Sequence, residues 1–209
     1  SAAADALNAS GSPAQLAVTD GTANVLVLGA ESATDRFNIN GLAGNDTLSA
    51  ELSAAGLMLL TVDGGADSDT AVVTGTAGAD AIQVAGLVAS ASVTAAGASL
   101  FSTLAMENLR IDALGGSDTV VAGTGLAGVV QLTIDGGPGD DSLTGGNGAD
   151  QILGGDGSDS VRGGPGNDVA LLGTNDDVFQ WDPGDGSDVV EGQGGADVLR
   201  FNGANISEI

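Results

Sequence analysis

The sequence predicts an all-β chain wound as a parallel β-roll or β-solenoid, and three observations carry that prediction. Four nine-residue units run end to end over residues 136–171: GGPGDDSLT, GGNGADQIL, GGDGSDSVR and GGPGNDVAL. Each reads G-G-x-G-x-D-x-U-x, with U a large apolar residue, so a six-residue turn alternates with a three-residue strand. Apolar residues make up 42% of the chain but aromatics only 2%, which suits a thin aliphatic ladder better than a compact core. The first half repeats the design at an offset of 72 residues. FNINGLAGNDTL from Phe37 aligns with LRIDALGGSDTV from Leu109, and LTVDGGADSDTAV from Leu60 aligns with LTIDGGPGDDSLT from Leu132. That duplication predicts one continuous solenoid from about Val25 onward rather than two folds.

Taken in order, residues 1–24 read as a linker or irregular start. The opening SAAADALNASGSPAQ is small and polar, lacks Met and a signal peptide, and offers no cap for a solenoid end, so the chain is expected to be a processed product or part of a longer one. Residues 25–135 read as degenerate coils with acidic turns at Asp46, Asp69, Asp80 and Asp118. The pairs Asp46–Asp69 and Asp118–Asp141 are 23 residues apart and demand bulged coils. Residues 81–106 carry no charge and are long enough to span a bilayer. Their alternation of small, hydroxyl and apolar residues instead predicts coils without acidic turns, and no membrane insertion.

Residues 136–201 form the regular roll. After the four units come LGTNDDVFQ from Leu172, PGDGSDVVE from Pro183 after a two-residue insertion, and GQGGADVLR from Gly192. The sixth-position carboxylates are Asp141, Asp150, Asp159, Asp168, Asp177, Asp188 and Asp197. The inward apolar residues are Leu143, Ile152, Val161, Ala170, Phe179, Val190 and Leu199. Residues 202–209 are a tail, and Phe179, Trp181 and Phe201 are the expected C-terminal cap.

The charge sets the chemistry. The formal net charge is −24, from 28 acidic residues against Arg36, Arg110, Arg162 and Arg200, with no Lys and no His. Nucleic acid is excluded as a partner, because nothing basic meets phosphate. Without His or Lys there is no catalytic triad, zinc-protease motif or P-loop. GTGLAG at Gly123 leads into a strand rather than the helix a dinucleotide fingerprint requires. No enzyme activity is predicted, and with no cysteine no disulfide holds the fold.

Short carboxylates beside glycine suit turns and hard-cation ligation. A nine-residue period is half a coil, so carboxylates 18 residues apart lie on one side, about 4.8 Å from each other. Two of them can share a cation that takes six to eight oxygens, the rest supplied by turn carbonyls. That demand fits calcium better than magnesium. The predicted fold is thus a solenoid with calcium-binding glycine-rich turns, binding several Ca2+ ions.

These motifs resemble the RTX, or hemolysin-type, calcium-binding repeats of secreted bacterial proteins, closely over residues 136–200 and loosely over 40–121. The resemblance implies that each site takes carbonyls from positions two and four plus the Asp of one turn, and carbonyls from positions one and three plus the Asp of the turn one coil later. On this chain it implies a first site from Gly137, Gly139, Asp141, Gly154, Asp156 and Asp159. A second would use Gly146, Gly148, Asp150, Gly163, Pro165 and Asp168. The third comprises Gly155, Gly157, Asp159, Leu172, Thr174 and Asp177, with Leu172 where the pattern has glycine. A fourth joins Gly164, Gly166 and Asp168 to Pro183, Asp185 and Asp188 across the insertion. The last pairs Asp177 with Asp197. Some early sites are expected to be vacant.

The implied function is a structural segment of a secreted or cell-surface bacterial protein, of adhesin, surface-layer or fibre type, exported by type I secretion and rigidified by extracellular calcium. The alternative is an accessory module for secretion and folding of an enzyme whose catalytic domain lies elsewhere. Partners beyond calcium would be neighbouring domains of a longer chain or further copies of this one. A flat recognition face is disfavoured, because the seventh-position threonines Thr47, Thr70 and Thr119 do not continue through the regular repeats.

Overall fold

The computed structural model of the chain describes residues 6–12, 15–19, 24–28, 36–51, 59–87, 90–95 and 98–203. They are all-β, and the strands form two facing ladders. The first ladder contains β1 (Ala6–Ser12), β2 (Gln15–Thr19), β3 (Asn24–Leu28), β5 (Thr47–Glu51), β7 (Thr70–Thr74), β11 (Asn108–Asp112), β13 (Gln131–Pro138), β15 (Gln151–Asp156), β17 (Val169–Thr174) and β19 (Val189–Gln193). Its order is β19-β17-β15-β13-β11-β7-β5-β1-β2-β3. The second contains β4 (Arg36–Asn40), β6 (Leu59–Asp63), β8 (Ala81–Leu87), β9 (Ser90–Ala95), β10 (Ala98–Leu104), β12 (Thr119–Ala122), β14 (Ser142–Thr144), β16 (Ser160–Arg162), β18 (Val178–Trp181) and β20 (Val198–Phe201). Its order is β20-β18-β16-β14-β12-β8-β9-β10-β6-β4.

From β11 onward the chain alternates between the ladders and every pairing is parallel, so each coil stacks on the one before. The register follows the repeat: Leu143 pairs with Val161, and Ile134 with Ile152 and then Ala170. Alternation puts these residues inside. Leu132, Ile134, Leu143, Ile152, Val161, Ala170 and Phe179 are all buried in one core that runs along the stack. Each large aliphatic residue so buried contributes about 1.5–3 kcal/mol.

Three expectations are corrected. Residues 81–106 do not form coils. β8, β9 and β10 are an antiparallel meander, with β9 paired to both neighbours and β10 laid parallel to β6. Only two residues separate each strand from the next, too few for the crossover a parallel pair needs. The supposed irregular start contains β1 and β2; β1 lies parallel to β5, and β2 and β3 follow it as antiparallel strands at the N-terminal edge of the first ladder. Residues 1–5, 13–14 and 20–23 of that segment, and 204–209 of the tail, lie outside the described residues. At the C-terminus Trp181 and Phe201 do pair, with ring centroids 5.8 Å apart. They do not close the end, for Leu199 is 50% and Phe201 65% exposed. Nothing stacks on β20 among the described residues.

The duplicated segments also fall on opposite ladders: β4 and β11 correspond in sequence, as do β5 and β12, yet each pair is split between the two. The offset of 72 therefore does not superpose equivalent turns. Among the described residues no helix is long and apolar enough to cross a membrane.

Candidate metal centres in the stacked turns

The six-residue turns work because positions two and four take left-handed backbone. Gly137, Gly139, Gly146, Gly148, Gly155 and Gly157 all have positive φ. So do Leu42, Asp67, Leu114, Asn175 and Gln193 at these positions in degenerate turns, whereas Thr76 and Gly78 of the Asp80 turn, and Gly166, do not. Stacking adds a second constraint. A Cβ on Gly155 (φ 120°) would collide with the Gly137 carbonyl, which points down the stack from the coil before. Gly155→Ala is therefore expected to cost at least about 2 kcal/mol, from left-handed strain plus backbone collision. Gly78→Ala, where φ is ordinary and the nearest atom is 3.9 Å away, should be close to neutral. Thermal unfolding of the two variants in calcium checks the contrast.

The position-one glycine is needed for another reason. At Gly145 a Cβ would sit 2.8 Å from Asp150 Oδ2 and 2.7 Å from the Gly163 carbonyl of the next coil. The sixth-position carboxylate thus folds back over its own turn and meets a carbonyl from the turn stacked on it. Gly136 holds the same cradle with Asp141 Oδ2 and Gly154 O, and Gly154 holds it with Asp159 Oδ2 and Leu172 O. Leu172 can replace glycine in presenting that carbonyl, because the carbonyl is backbone and its side chain is buried in the core. At Gly163 the three nearest atoms all belong to Asp168, whose carboxylate folds back closely over its own turn.

The two oxygens of each carboxylate have different surroundings. Oδ1 accepts the backbone N–H of the Asp one coil earlier. Asp141 donates to Asp159 at 2.9 Å, Asp150 to Asp168 at 2.9 Å and Asp159 to Asp177 at 2.8 Å. Asp168 donates to Asp188 at 3.0 Å and Asp177 to Asp197 at 3.1 Å. The 23-residue pairs make the same bond, Asp46 to Asp69 at 2.7 Å and Asp118 to Asp141 at 2.8 Å. The extra five residues leave turn stacking intact. Oδ2 of Asp69, Asp118, Asp141, Asp150, Asp159, Asp168, Asp177 and Asp188 is buried and has no hydrogen-bond partner.

Two columns of carboxylates result. The turns entering the second ladder align Asp80, Asp118, Asp141, Asp159, Asp177 and Asp197 without a break. Those entering the first ladder align Asp46, Asp69 and Glu107, then Asp150, Asp168 and Asp188. Between the two runs Gln131 N donates to Glu107 O, leaving Val130 where a carboxylate would stand.

Sequence reasoning missed Glu107 and the pairing of Asp80 with Asp118 across 38 residues. It also missed a ladder at position five. There Asn45, Asp140, Asn167 and Asp176 accept the N–H of Ser68, Ser158, Ser187 and Ala196 one coil later. The Asn and Asp at position five were its only signal. At the insertion, Arg162 Nη2 lies 2.8 Å from Asp182 and 3.5 Å from the buried Asp185, a built-in cation that offsets part of that coil's negative charge.

Burial pushes the carboxyls up, and the neighbouring carboxylates add to it. Asp150 rises to about 7, by burial and then by Asp168. Asp159 and Asp168 rise to about 6; burial leads in both, partly offset by the Asp141 and Asp150 amide hydrogen bonds. Asp69, Asp118, Asp141, Asp177 and Asp188 shift the same way with burial foremost. Without metal, the folded chain therefore binds more protons than the unfolded chain, whose Asp residues titrate near 3.9. Stability then falls as pH rises. It is fully present below about pH 4 and is lost as pH climbs through 6 to 7. In chelator, the unfolding midpoint is expected to be higher at pH 5 than at pH 8. In calcium the order should reverse, because protons compete for the same oxygens.

A divalent cation meets the need these orphaned oxygens create. A buried acceptor without a partner costs about 1–3 kcal/mol, more when charged, and the columns repeat that cost coil after coil. No three acidic side chains gather at one point among the described residues, so any ion must lean on turn carbonyls, as calcium readily does. Asp oxygens, glycine-turn carbonyls and a cradle no Cβ could share make a hard-oxygen donor set that fits it.

Comparison with known families agrees. Residues 38–53, 135–170 and 184–205 match the RTX calcium-binding nonapeptide repeat, in four copies. Over those residues the chain carries RTX calcium-binding repeats, and they lie on a β-roll fold. No curated protein matches it.

Proposed function

We propose that the stacked turns of residues 136–201 hold several calcium ions between successive coils, and that this metal completes the solenoid as a structural segment of a secreted or cell-surface bacterial protein. The observation that carries the proposal is the row of buried Oδ2 atoms without partners, of which those of Asp141, Asp150 and Asp159 share a cradle with a carbonyl of the turn stacked on them. Asp141 with Asp159, and Asp150 with Asp168, anchor the two best-formed sites. Gly137, Gly139, Gly154 and Asp156 supply carbonyls to the first; Gly146, Gly148, Gly163 and Pro165 supply them to the second. Gly155, Gly157, Leu172, Thr174 and Asp177 extend the column from Asp159.

The ion would neutralise facing carboxylates and tie each coil to the next; no bond of a substrate is made or broken. Two ladders continuous along the described chain suit a spacer whose stiffness calcium sets. Affinities typical of extracellular modules would fill such sites outside the cell and leave them empty in the cytosol. Calorimetric titration of the full chain with calcium chloride is expected to count several ions. Single-molecule extension should show higher unfolding forces in calcium than in chelator. Equal forces in both conditions would defeat the spacer reading.

A further inference from the structure

The turn entering β11 has no glycine repeat and lies outside the residues matched to the family, yet it delivers a carboxylate to the first column. Glu107 Oε2 accepts the Asp69 N–H at 2.8 Å, the bond Asp177 makes to Asp159 in the regular repeats. Asp69 is fully buried and its Oδ2 has no partner. That oxygen is aimed at Gly64, where a Cβ would collide with it and lie 2.5 Å from the Ala105 carbonyl. Ala105 itself has φ 45°, a left-handed turn that presents this carbonyl without glycine. The cradle is the one Gly145 holds between Asp150 and the Gly163 carbonyl.

We propose that Asp69, Glu107 and the Ala105 carbonyl form a further calcium site, built from a turn outside the repeats. It would clamp the ends of the 38-residue stretch that contains the β8–β10 meander. Glutamate replaces aspartate here, and its extra methylene lets an exposed position reach the column. The inference rests on the reading that stacked carboxylates of this chain hold calcium.

The test uses the full chain titrated with calcium chloride, with ions counted by native mass spectrometry and protection read by hydrogen exchange. Glu107→Gln keeps an oxygen to accept the Asp69 N–H, so the fold should survive. It is expected to lower the count by one ion per chain and to abolish calcium-dependent protection in residues 64–74 and 105–112. Protection in 136–201 should stay unchanged. Asp69→Asn should abolish the same protection and, because Asp69 also stacks on Asp46, extend the loss to residues 41–47. An unchanged count and unchanged protection in Glu107→Gln would overturn this site while leaving those of the repeats standing. A wild-type chain that binds no calcium would overturn the underlying reading as well.

Discussion

Chelation is expected to unfold the coils of residues 136–201, and restored calcium to refold them cooperatively. A site with Kd of about 0.1 mM in about 1 mM calcium stabilises the folded state by about 1.4 kcal/mol. Five such sites give roughly 7 kcal/mol, comparable to the whole stability of an ordinary domain. Without the ion, the same turns retain buried carboxylate oxygens without partners, charges stacked one coil apart and glycines of high ordering entropy. The aliphatic core is too thin to offset that, since each short strand of the roll, β14 and β16 among them, buries one residue (Leu143, Val161). Circular dichroism with hydrogen exchange reads the outcome. Amides of β14–β18 should be protected in calcium and exchange rapidly in chelator. Identical spectra and protection in both would show that the core stands alone.

Asp159→Asn is expected to be among the most damaging single carboxylate changes in calcium. Asp159 lies mid-column: its Oδ1 accepts the Asp141 N–H, and its own N–H donates to Asp177. It therefore borders two cation positions, and its loss should cost about 3 kcal/mol, twice the single-site value. Among the described residues Asp197 ends the column, accepting the Asp177 N–H, so Asp197→Asn should cost about half as much. In chelator the sign reverses. The Asp159 carboxyl is raised to about 6, chiefly by burial and then by Asp141, Asp177 and Asp140, so a neutral amide suits the metal-free fold better at pH 7.5. Thermal unfolding in calcium, and the β-signal left by circular dichroism in chelator, test the two signs. A loss in both conditions would mean that Asp159 serves only to stack the turns.

The regular roll was legible because its period is short and unbroken. Nine residues per half-coil place Asp141 beside Asp159 and Leu143 beside Val161 with no further information. Longer coils hid the rest. Glu107 has no glycine around it, and its partner Asp69 lies 38 residues back, so no fixed spacing could join them. The meander contains the same alternation of small and apolar residues as a coil. Only the two-residue spacing between its strands decides for antiparallel pairing. Leu42 and Leu114 adopt the left-handed backbone of a repeat glycine, which their residue types conceal. The clustering of aromatics around Trp181 and Phe201 suggests a cap in the sequence. Their pairing holds, but the exposure of Leu199 shows that two rings cannot cover a whole coil.

The central claim is that the orphaned Asp oxygens of the two columns are calcium ligands. Anomalous diffraction from crystals of the full chain grown in calcium chloride tests it most directly. The account predicts peaks between the turns of Asp141 and Asp159 and between those of Asp150 and Asp168, each with Oδ2 atoms and turn carbonyls within about 2.3–2.6 Å. Ordered coils with water at those positions and no anomalous signal would contradict it.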